Sequence, residues 1–172
     1  MGQHFGFVAL GGNLPLVAVI RDATRQPSNP TSNPGYRVYG PGGLMVGGTG
    51  TLTPAQTGTV TGATNASPIV VTSAGHGLTT GTRVTITGAT GNTAANTTTT
   101  VTVVDANTFS LDGTTGNGTF SGTATWNISG VYAVLVAVPA TSGYVSGQSY
   151  SVLVSGTVAG NVDCEEYTFT VV

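Results

Sequence analysis

Few residues in this chain could act as nucleophiles, bases or metal ligands. A nucleophilic enzyme needs a base held beside its nucleophile. The 172-residue sequence has two histidines, His4 and His76, and a single cysteine, Cys164. His76 stands between Gly75 and Gly77, where flanking glycines favour a turn. One cysteine and two distant histidines do not make a zinc site. We therefore predict no enzymatic activity, no cofactor and no metal site.

The six carboxylates provide no evident catalytic pair. Glycoside hydrolysis uses two carboxyl groups that flank one bond. Glu165 and Glu166 are neighbours on a predicted strand and therefore point to opposite faces. Asp105 and Asp112 flank one predicted hairpin, where Asx side chains support turns. The segment 112–117 offers oxygen atoms, but it lacks the dense acidic spacing of a calcium loop. These residues are predicted to have structural roles.

Aromatic side chains suggest one binding chemistry, because they can stack on sugars. The central part of the chain contains Phe109, Phe120 and Trp126. We predict that Phe109 and Phe120 fill a small core. Trp126 lies at a domain junction, where it would pack the two domains together. Contact between Trp126 and a glycan is the alternative hypothesis.

The composition excludes several classes of protein. Hydrophobic residues make up 39% of the chain and charged residues only 6%, against about 25% charged in an average soluble domain. There are 32 Thr, 27 Gly, no Lys and four Arg, so no basic stripe for nucleic acid can form. No apolar run reaches the roughly 18 residues of a membrane span, and the N-terminus lacks a secretory-signal pattern. We expect a soluble, nearly uncharged protein that binds neither nucleic acid nor membrane.

Short β-favouring runs alternate with Gly, Asn, Asp and Pro clusters, and this pattern predicts an all-β fold. Helix formers in long 3.6-residue periodicity are missing. The predicted strands are 4–10, 15–22, 36–39, 43–46, 69–72, 83–87, 98–104, 108–111, 119–126, 131–138, 149–158 and 164–172.

Composition divides the chain into three segments. Residues 1–58 hold most of the Arg and Pro, residues 59–127 form a Thr/Gly/Asn/Ala tract, and residues 128–172 return to Val- and Tyr-rich strands. The two outer segments together have the size of one immunoglobulin-like sandwich of about 100 residues. We therefore predict one β-sandwich (1–58 with 128–172) interrupted by a small β-barrel (59–127), since insertion at a loop is tolerated when the inserted ends lie close together.

The central tract carries a recognisable set of motifs: Val71-Thr-Ser-Ala-Gly-His-Gly-Leu78, Gly91-Asn-Thr-Ala-Ala-Asn96 and Val103-Val-Asp-Ala-Asn-Thr-Phe-Ser-Leu-Asp-Gly113. It resembles the first-catalytic-cysteine-half (FCCH-like) domain, a small β-barrel module named after ubiquitin-activating enzymes and frequent in structural proteins of tailed bacteriophages. Thr82 departs from the pattern, where an acidic residue is usual. The enzyme chemistry does not carry over, because the tract has no cysteine.

The outer segments carry a second resemblance. Phe7–Asp22 with Tyr36–Gly43, and later Gly130-Val-Tyr132 with Gly147–Val154, are similar to small immunoglobulin-like proteins of phages. Sandwich folds often place a Tyr at the opening of such a strand, with its hydroxyl bonded back to the backbone. Tyr150 is the predicted residue for this role.

Two strands of the predicted sandwich are apolar on both faces, namely 16–20 and 131–138. A sandwich strand normally turns one polar side to water, and exposed apolar patches mark association sites. A cover formed by the insert or by loops is one explanation. Docking onto other protein chains is the other, and its predicted interface residues are Val17, Val19, Tyr132, Val134, Val136 and Val138.

The two resemblances imply that the chain is a virion structural protein of a tailed bacteriophage. The favoured form is a head (capsid) decoration or auxiliary protein, assembled in the bacterial cytoplasm and present as a homo-oligomer or in many copies on the major capsid protein. The alternative is a tail, neck or fibre component whose insert binds a host-surface glycan.

Overall fold

A computed structural model describes residues 3–172 of the chain, with side chains described from residue 6 onward. In this range the protein is built from strands, and its helical content is two short 3-10 turns at Pro41–Gly43 and Thr93–Ala95. The all-β prediction is confirmed. The strands are β1 (Gln3–Val8), β2 (Asn13–Val19), β3 (Gly35–Tyr39), β4 (Met45–Thr51), β5 (Thr53–Pro54), β6 (Thr57–Val60), β7 (Gly62–Ala63), β8 (Ile69–Thr72), β9 (Arg83–Thr87), β10 (Thr98–Asp105), β11 (Thr108–Leu111), β12 (Ala124–Ile128), β13 (Val131–Ala137), β14 (Ser149–Val158) and β15 (Asn161–Val171).

The chain divides into two compact units. The outer unit combines Met1–Pro54 with Gly130–Val172, and the inserted unit is Ala55–Ser129. The inserted unit thus begins four residues before the predicted boundary at 59 and ends two residues after the predicted boundary at 127. Both ends of the chain belong to one folded unit.

The outer unit is a β-sandwich of two sheets. One has five strands in the order β1-β15-β14-β3-β4, and the other has three in the order β2-β13-β5. The run β15-β14-β3-β4 corresponds to strands G, F, C and C′ of an immunoglobulin-like sandwich, and β2-β13-β5 corresponds to B, E and D. β1 pairs in parallel with β15, and the other ladders of this unit are antiparallel.

Alternating apolar residues from the two sheets form the sandwich core. On β2, Leu14, Leu16 and Ala18 are buried, whereas the residues between them face outward. β14 and β15 alternate in the same way. The sheets approach closely where Gly156 on β14 faces Ile20, because a Cβ atom at Gly156 would lie 3.2 Å from the Ile20 side chain.

Tyr150 has the predicted structural role. Its ring is buried and stacks on Phe169 with centroids 5.6 Å apart. Its hydroxyl accepts a hydrogen bond from the Val145 backbone N–H at 2.7 Å, which joins the start of β14 to the preceding loop. The prediction of a hydroxyl bonded back to the backbone is confirmed.

The strand pairing shows why an insertion fits between β5 and β13. In the outer unit, Pro54 pairs directly with Tyr132, so the two points where the chain leaves and re-enters this unit are neighbours. In the inserted unit the first strand, β6, pairs with the last, β12, and Thr57 lies opposite Asn127. Each unit therefore has adjacent ends, the condition under which insertion leaves a fold intact.

The inserted unit is one curled seven-stranded sheet in the order β6-β12-β9-β10-β11-β8-β7. The sheet does not close through a continuous ladder as the predicted barrel would. Its two edge strands, β6 and β7, are consecutive in the chain and are interrupted only at Thr61. β6 pairs with β12, and β7 pairs with β8. Its apolar residues enclose a separate core around Phe109 and Trp126.

Candidate functional site

The outer face of the three-stranded sheet is apolar across two neighbouring strands. On β2 the outward residues Pro15 and Val17 are exposed, and on β13 Leu135 is exposed. The register places Ala133 opposite Val17 and Leu135 opposite Pro15, so these side chains share one patch. Neither strand contains a charged residue. We call Pro15, Val17, Val19, Val131, Ala133, Leu135 and Ala137 the apolar face.

The residues predicted to dock are only partly on this face. Val17 is 48% exposed and Val19 is half-buried. Tyr132, Val136 and Val138 are buried in the sandwich core, so the docking prediction at these three positions is corrected. A fourth predicted residue, Val134, is half-buried and packs against the same core.

The error on β13 is one of register. Side chains alternate along a strand, so a displacement by one residue exchanges the whole inward set for the outward set. Both alternating sets of positions on β13 are apolar, so the sequence does not indicate which set faces the core. The pairing with β2 selects it: Val134 lies opposite the buried Leu16, whereas Leu135, which the sequence interpretation omitted, lies opposite the exposed Pro15.

Trp126 is in the core of the inserted unit. It is 2% exposed, its Nε1–H donates to Ser73 Oγ at 2.8 Å, and its ring meets Phe109 edge to face. Gly58 leaves the space for the indole, since a Cβ atom there would lie 2.6 Å from Nε1. The predicted glycan contact at Trp126 is therefore corrected, because a sugar cannot reach the ring. Phe109 and Phe120 contribute to the same core as predicted.

His76 closes a buried turn. The ring is 4% exposed, and Nδ1 accepts a hydrogen bond from the Leu78 backbone N–H at 3.0 Å. Nε2 lies 2.9 Å from the Asp105 carbonyl oxygen, which requires the proton to be on Nε2. With both ring nitrogens engaged by backbone atoms, His76 has no free position for proton transfer. The side chain of His4 lies outside the described residues.

Two of the carboxylates support turns and strand pairing. Asp105 Oδ1 accepts the Asn107 backbone N–H at 2.7 Å across the β10–β11 hairpin, and this hydrogen bond holds the pKa of Asp105 below its usual value. Asp112 accepts the hydroxyls of Thr100 and Thr102 at 3.1 and 3.0 Å. In the nearby loop, Asn117 Oδ1 accepts the Ala94 backbone N–H, so its carbonyl also serves the fold.

A small ionic cluster lies at one edge of the sandwich. The Arg21 guanidinium donates to Glu165, and Glu165 also accepts the Tyr167 hydroxyl. The Arg21 backbone N–H donates to Asp163 at 2.7 Å. Burial, reinforced by the Glu165 carboxylate, raises the pKa of Tyr167 well above its usual value. Glu166 belongs to the opposite face of β15. The two adjacent glutamates are therefore separated as predicted.

The outer face of the five-stranded sheet has a feature that sequence reasoning missed. A groove of about 450 Å³ is lined by residues of β3, β4 and β14, including Gly35, Arg37 and Ser155. It exists because Gly35 has no side chain where its strand neighbours do. No local pattern in the sequence indicates it, since the pairing of β3 with β14 joins residues more than a hundred positions apart.

Across residues 6–172, whose side chains the structure describes, no three His, Cys, Asp or Glu side chains come close enough together to hold a metal ion. In the same range, neither 3-10 turn approaches the length of a membrane-crossing helix. No protein-family model and no curated protein sequence matches the chain. The two resemblances drawn from the sequence motifs therefore remain predictions.

Proposed function

We propose that this chain is a structural protein of a tailed-bacteriophage particle, a head decoration protein that attaches by adhesion to the major capsid protein. The apolar face of the sandwich carries this proposal. Leu135 is 65% exposed and Val17 is 48% exposed, and they lie on adjacent strands without a charged residue. Exposed patches of this kind are association sites.

The chemistry of the apolar face fits attachment to a repeating surface. Burial of apolar area is worth about 25 cal/mol per Å², and the cores of protein interfaces are depleted in charge. We expect a single contact through this one face to have a modest affinity. Many copies on a symmetric lattice raise the effective strength of attachment without new contacts. The low charge of the whole chain limits repulsion between neighbouring copies.

The experiment is incorporation of purified variants into particles that lack the chain. The variant Leu135→Asp places a charge at the centre of the apolar face and is expected to reduce incorporation at least about tenfold, because burial of an unpaired charge is strongly unfavourable. Val104→Asp is the matched control, since Val104 is 60% exposed but belongs to the inserted unit. Particle-bound protein is measured by quantitative gel analysis of purified particles.

Normal incorporation of Leu135→Asp would overturn the docking surface. Loss of incorporation by both variants would also count against it, because the effect would then not be specific to the apolar face. Labelling of intact particles separates the two locations. Label over the head supports the decoration role, and label confined to the tail, neck or fibres contradicts it.

A further inference from the structure

The outer face of the five-stranded sheet has a charge pattern that is complementary to itself. Arg37 on β3, Leu153 on β14 and Glu166 on β15 lie in one row across the sheet, because Leu153 pairs with Arg37 on one side and with Glu166 on the other. Arg37 and Glu166 are both exposed and Leu153 is half-buried. On the strands of this face that the structure describes, β3, β4, β14 and β15 contribute no other outward charged side chain.

Within one copy, Arg37 and Glu166 do not form an ion pair. Two strand spacings of about 4.8 Å separate them, with Leu153 in between. Neither side chain has an ion-pair or hydrogen-bond partner in the described part of the chain. The Glu165 carboxylate, which could otherwise compete for Arg37, points to the other face and binds Arg21.

We infer that this face binds a second copy of the chain and forms a twofold-symmetric dimer. In such an isologous interface, residue i of one copy contacts residue j of its partner and the reverse contact is also made. The twofold axis lies between the five-stranded sheets of the two copies and runs parallel to β14. It places β3 of one copy over β15 of its partner. Arg37 then faces Glu166 of the partner, and Glu166 faces Arg37 of the partner. An axis across the strands would instead place like charges together.

The shape of the face fits the same axis. One row from Leu153, Ser155 pairs with Gly35 on β3 and with Cys164 on β15. The rotation therefore brings the exposed Cys164 of one copy over the groove that the absent side chain of Gly35 leaves in its partner. The groove lies where the partner's side chains must enter.

The outermost strands are also compatible. Met45 on β4 is 59% exposed and Phe7 on β1 is 72% exposed, at opposite edges of the sheet. The same rotation carries Phe7 of the partner toward the end of β4 that bears Met45. Five strands and about six residues along each span roughly 24 by 20 Å. The buried area of roughly 1,000 Å² for both copies is at the low end for specific interfaces, so the dimer should dissociate on dilution.

The test is the association state of the purified chain in solution, measured by sedimentation over a range of concentrations. Wild type is expected to dimerise, and added salt is expected to weaken the dimer, since surface ion pairs are screened. Arg37→Glu makes two Glu–Glu contacts per dimer, and Glu166→Arg makes two Arg–Arg contacts. Each variant alone is expected to raise the dimer Kd at least about tenfold, because like charges in an interface repel.

Mixing the two variants gives the decisive measurement. A heterodimer of Arg37→Glu with Glu166→Arg restores both opposite-charge contacts, so the mixture is expected to associate at concentrations where each variant alone is mostly monomeric. The double variant with both changes in one chain is expected to dimerise with itself again. Recovery in the mixture also shows that both variants are folded.

The control variant is Leu135→Asp, which changes the apolar face of the other sheet and is expected to leave the dimer Kd unchanged. A wild-type chain that stays monomeric at the highest concentration would overturn the dimer. Failure of the mixture to associate would overturn the Arg37–Glu166 contact. Because the assay uses purified protein without particles, its outcome is independent of whether the chain attaches to a capsid.

Discussion

The two units of this protein form their cores and surfaces from different side chains. The outer unit contains all six tyrosines, at positions 36, 39, 132, 144, 150 and 167, whereas the inserted unit contains the single tryptophan and 23 of the 32 threonines. The sandwich buries aromatic rings between two sheets. The insert curls one sheet around a smaller core and covers its outside with threonine.

The comparison shows that two units with very few charged residues can cover their surfaces with different side chains. Threonine suits the outer side of the insert, because its branched side chain favours strands and its hydroxyl remains hydrated. Pairs such as Thr85 and Thr98, whose hydroxyl oxygens are 2.8 Å apart, replace the ion pairs of an ordinary protein surface. The sandwich instead exposes an apolar face and a sparsely charged face, and both of our proposals for binding concern this unit.

The largest expected effect comes from removing one buried phenylalanine in either unit. Phe109 and Phe169 are both fully buried, in the inserted and outer units respectively. Each change to Ala is expected to destabilise its own unit by about 3–5 kcal/mol. Denaturant unfolding followed by Trp126 fluorescence reports the insert, and tyrosine absorbance reports the sandwich. Equal shifts of both signals for both variants would show that the units unfold as one.

The second-largest expected effect is that alkaline pH unfolds the outer unit before the inserted unit. Burial raises the pKa of Tyr132, Tyr144 and Tyr167 in the folded sandwich, so folding favours the neutral phenols. The stabilisation that the neutral phenols contribute is complete below the pKa of tyrosine in the unfolded chain, about 10. It falls as pH rises above that value. Tyrosine signals should therefore report unfolding above about pH 10 while the tyrosine-free insert keeps its native tryptophan fluorescence. Loss of the tryptophan signal first would contradict the contrast.

A smaller effect is expected where a glycine makes room for the indole. Gly58→Ala places a Cβ atom 2.6–2.8 Å from three atoms of Trp126, and such overpacking costs about 1–3 kcal/mol. Gly62→Ala, in the next strand along the chain, is the matched control. The nearest atom to a Cβ at Gly62 would belong to Thr72, at 3.3 Å. Thermal unfolding followed by fluorescence should show a lower Tm for the first variant and a smaller change for the second.

The smallest effect distinguishes two neighbouring tyrosines. The Tyr150 hydroxyl accepts the Val145 N–H, whereas the buried Tyr144 hydroxyl has no hydrogen-bond partner in the described structure. Tyr150→Phe is expected to destabilise the sandwich by about 1–2 kcal/mol, because it leaves a backbone donor without a partner. Tyr144→Phe is expected to be neutral or slightly stabilising. Equal losses in urea unfolding would contradict the assignment of the hydroxyl roles.

Much of the fold could be predicted because its signals are local. Gly75-His-Gly77 and Asp105-Ala-Asn107 are turns because glycine permits their backbone and an Asx side chain accepts a nearby N–H. Tyr150 could be assigned from its place at the opening of a strand. The strands β5, β6 and β7 were missed, since their Gly- and Thr-rich residues show no apolar alternation, and β12 begins five residues later than predicted.

The candidate binding surfaces were less predictable, because they depend on which strands become neighbours. The amino-acid sequence alone determined the all-β class, the near absence of charge and the division into an outer and an inner composition, since β propensity and polarity are properties of individual residues. Only the tertiary structure decided that Leu135 rather than Val134 faces outward, that Trp126 is buried, and that Arg37 and Glu166 share one row. Strand register assigns every side chain to one face or the other, and for strands far apart in sequence it is set by the packing of the whole unit.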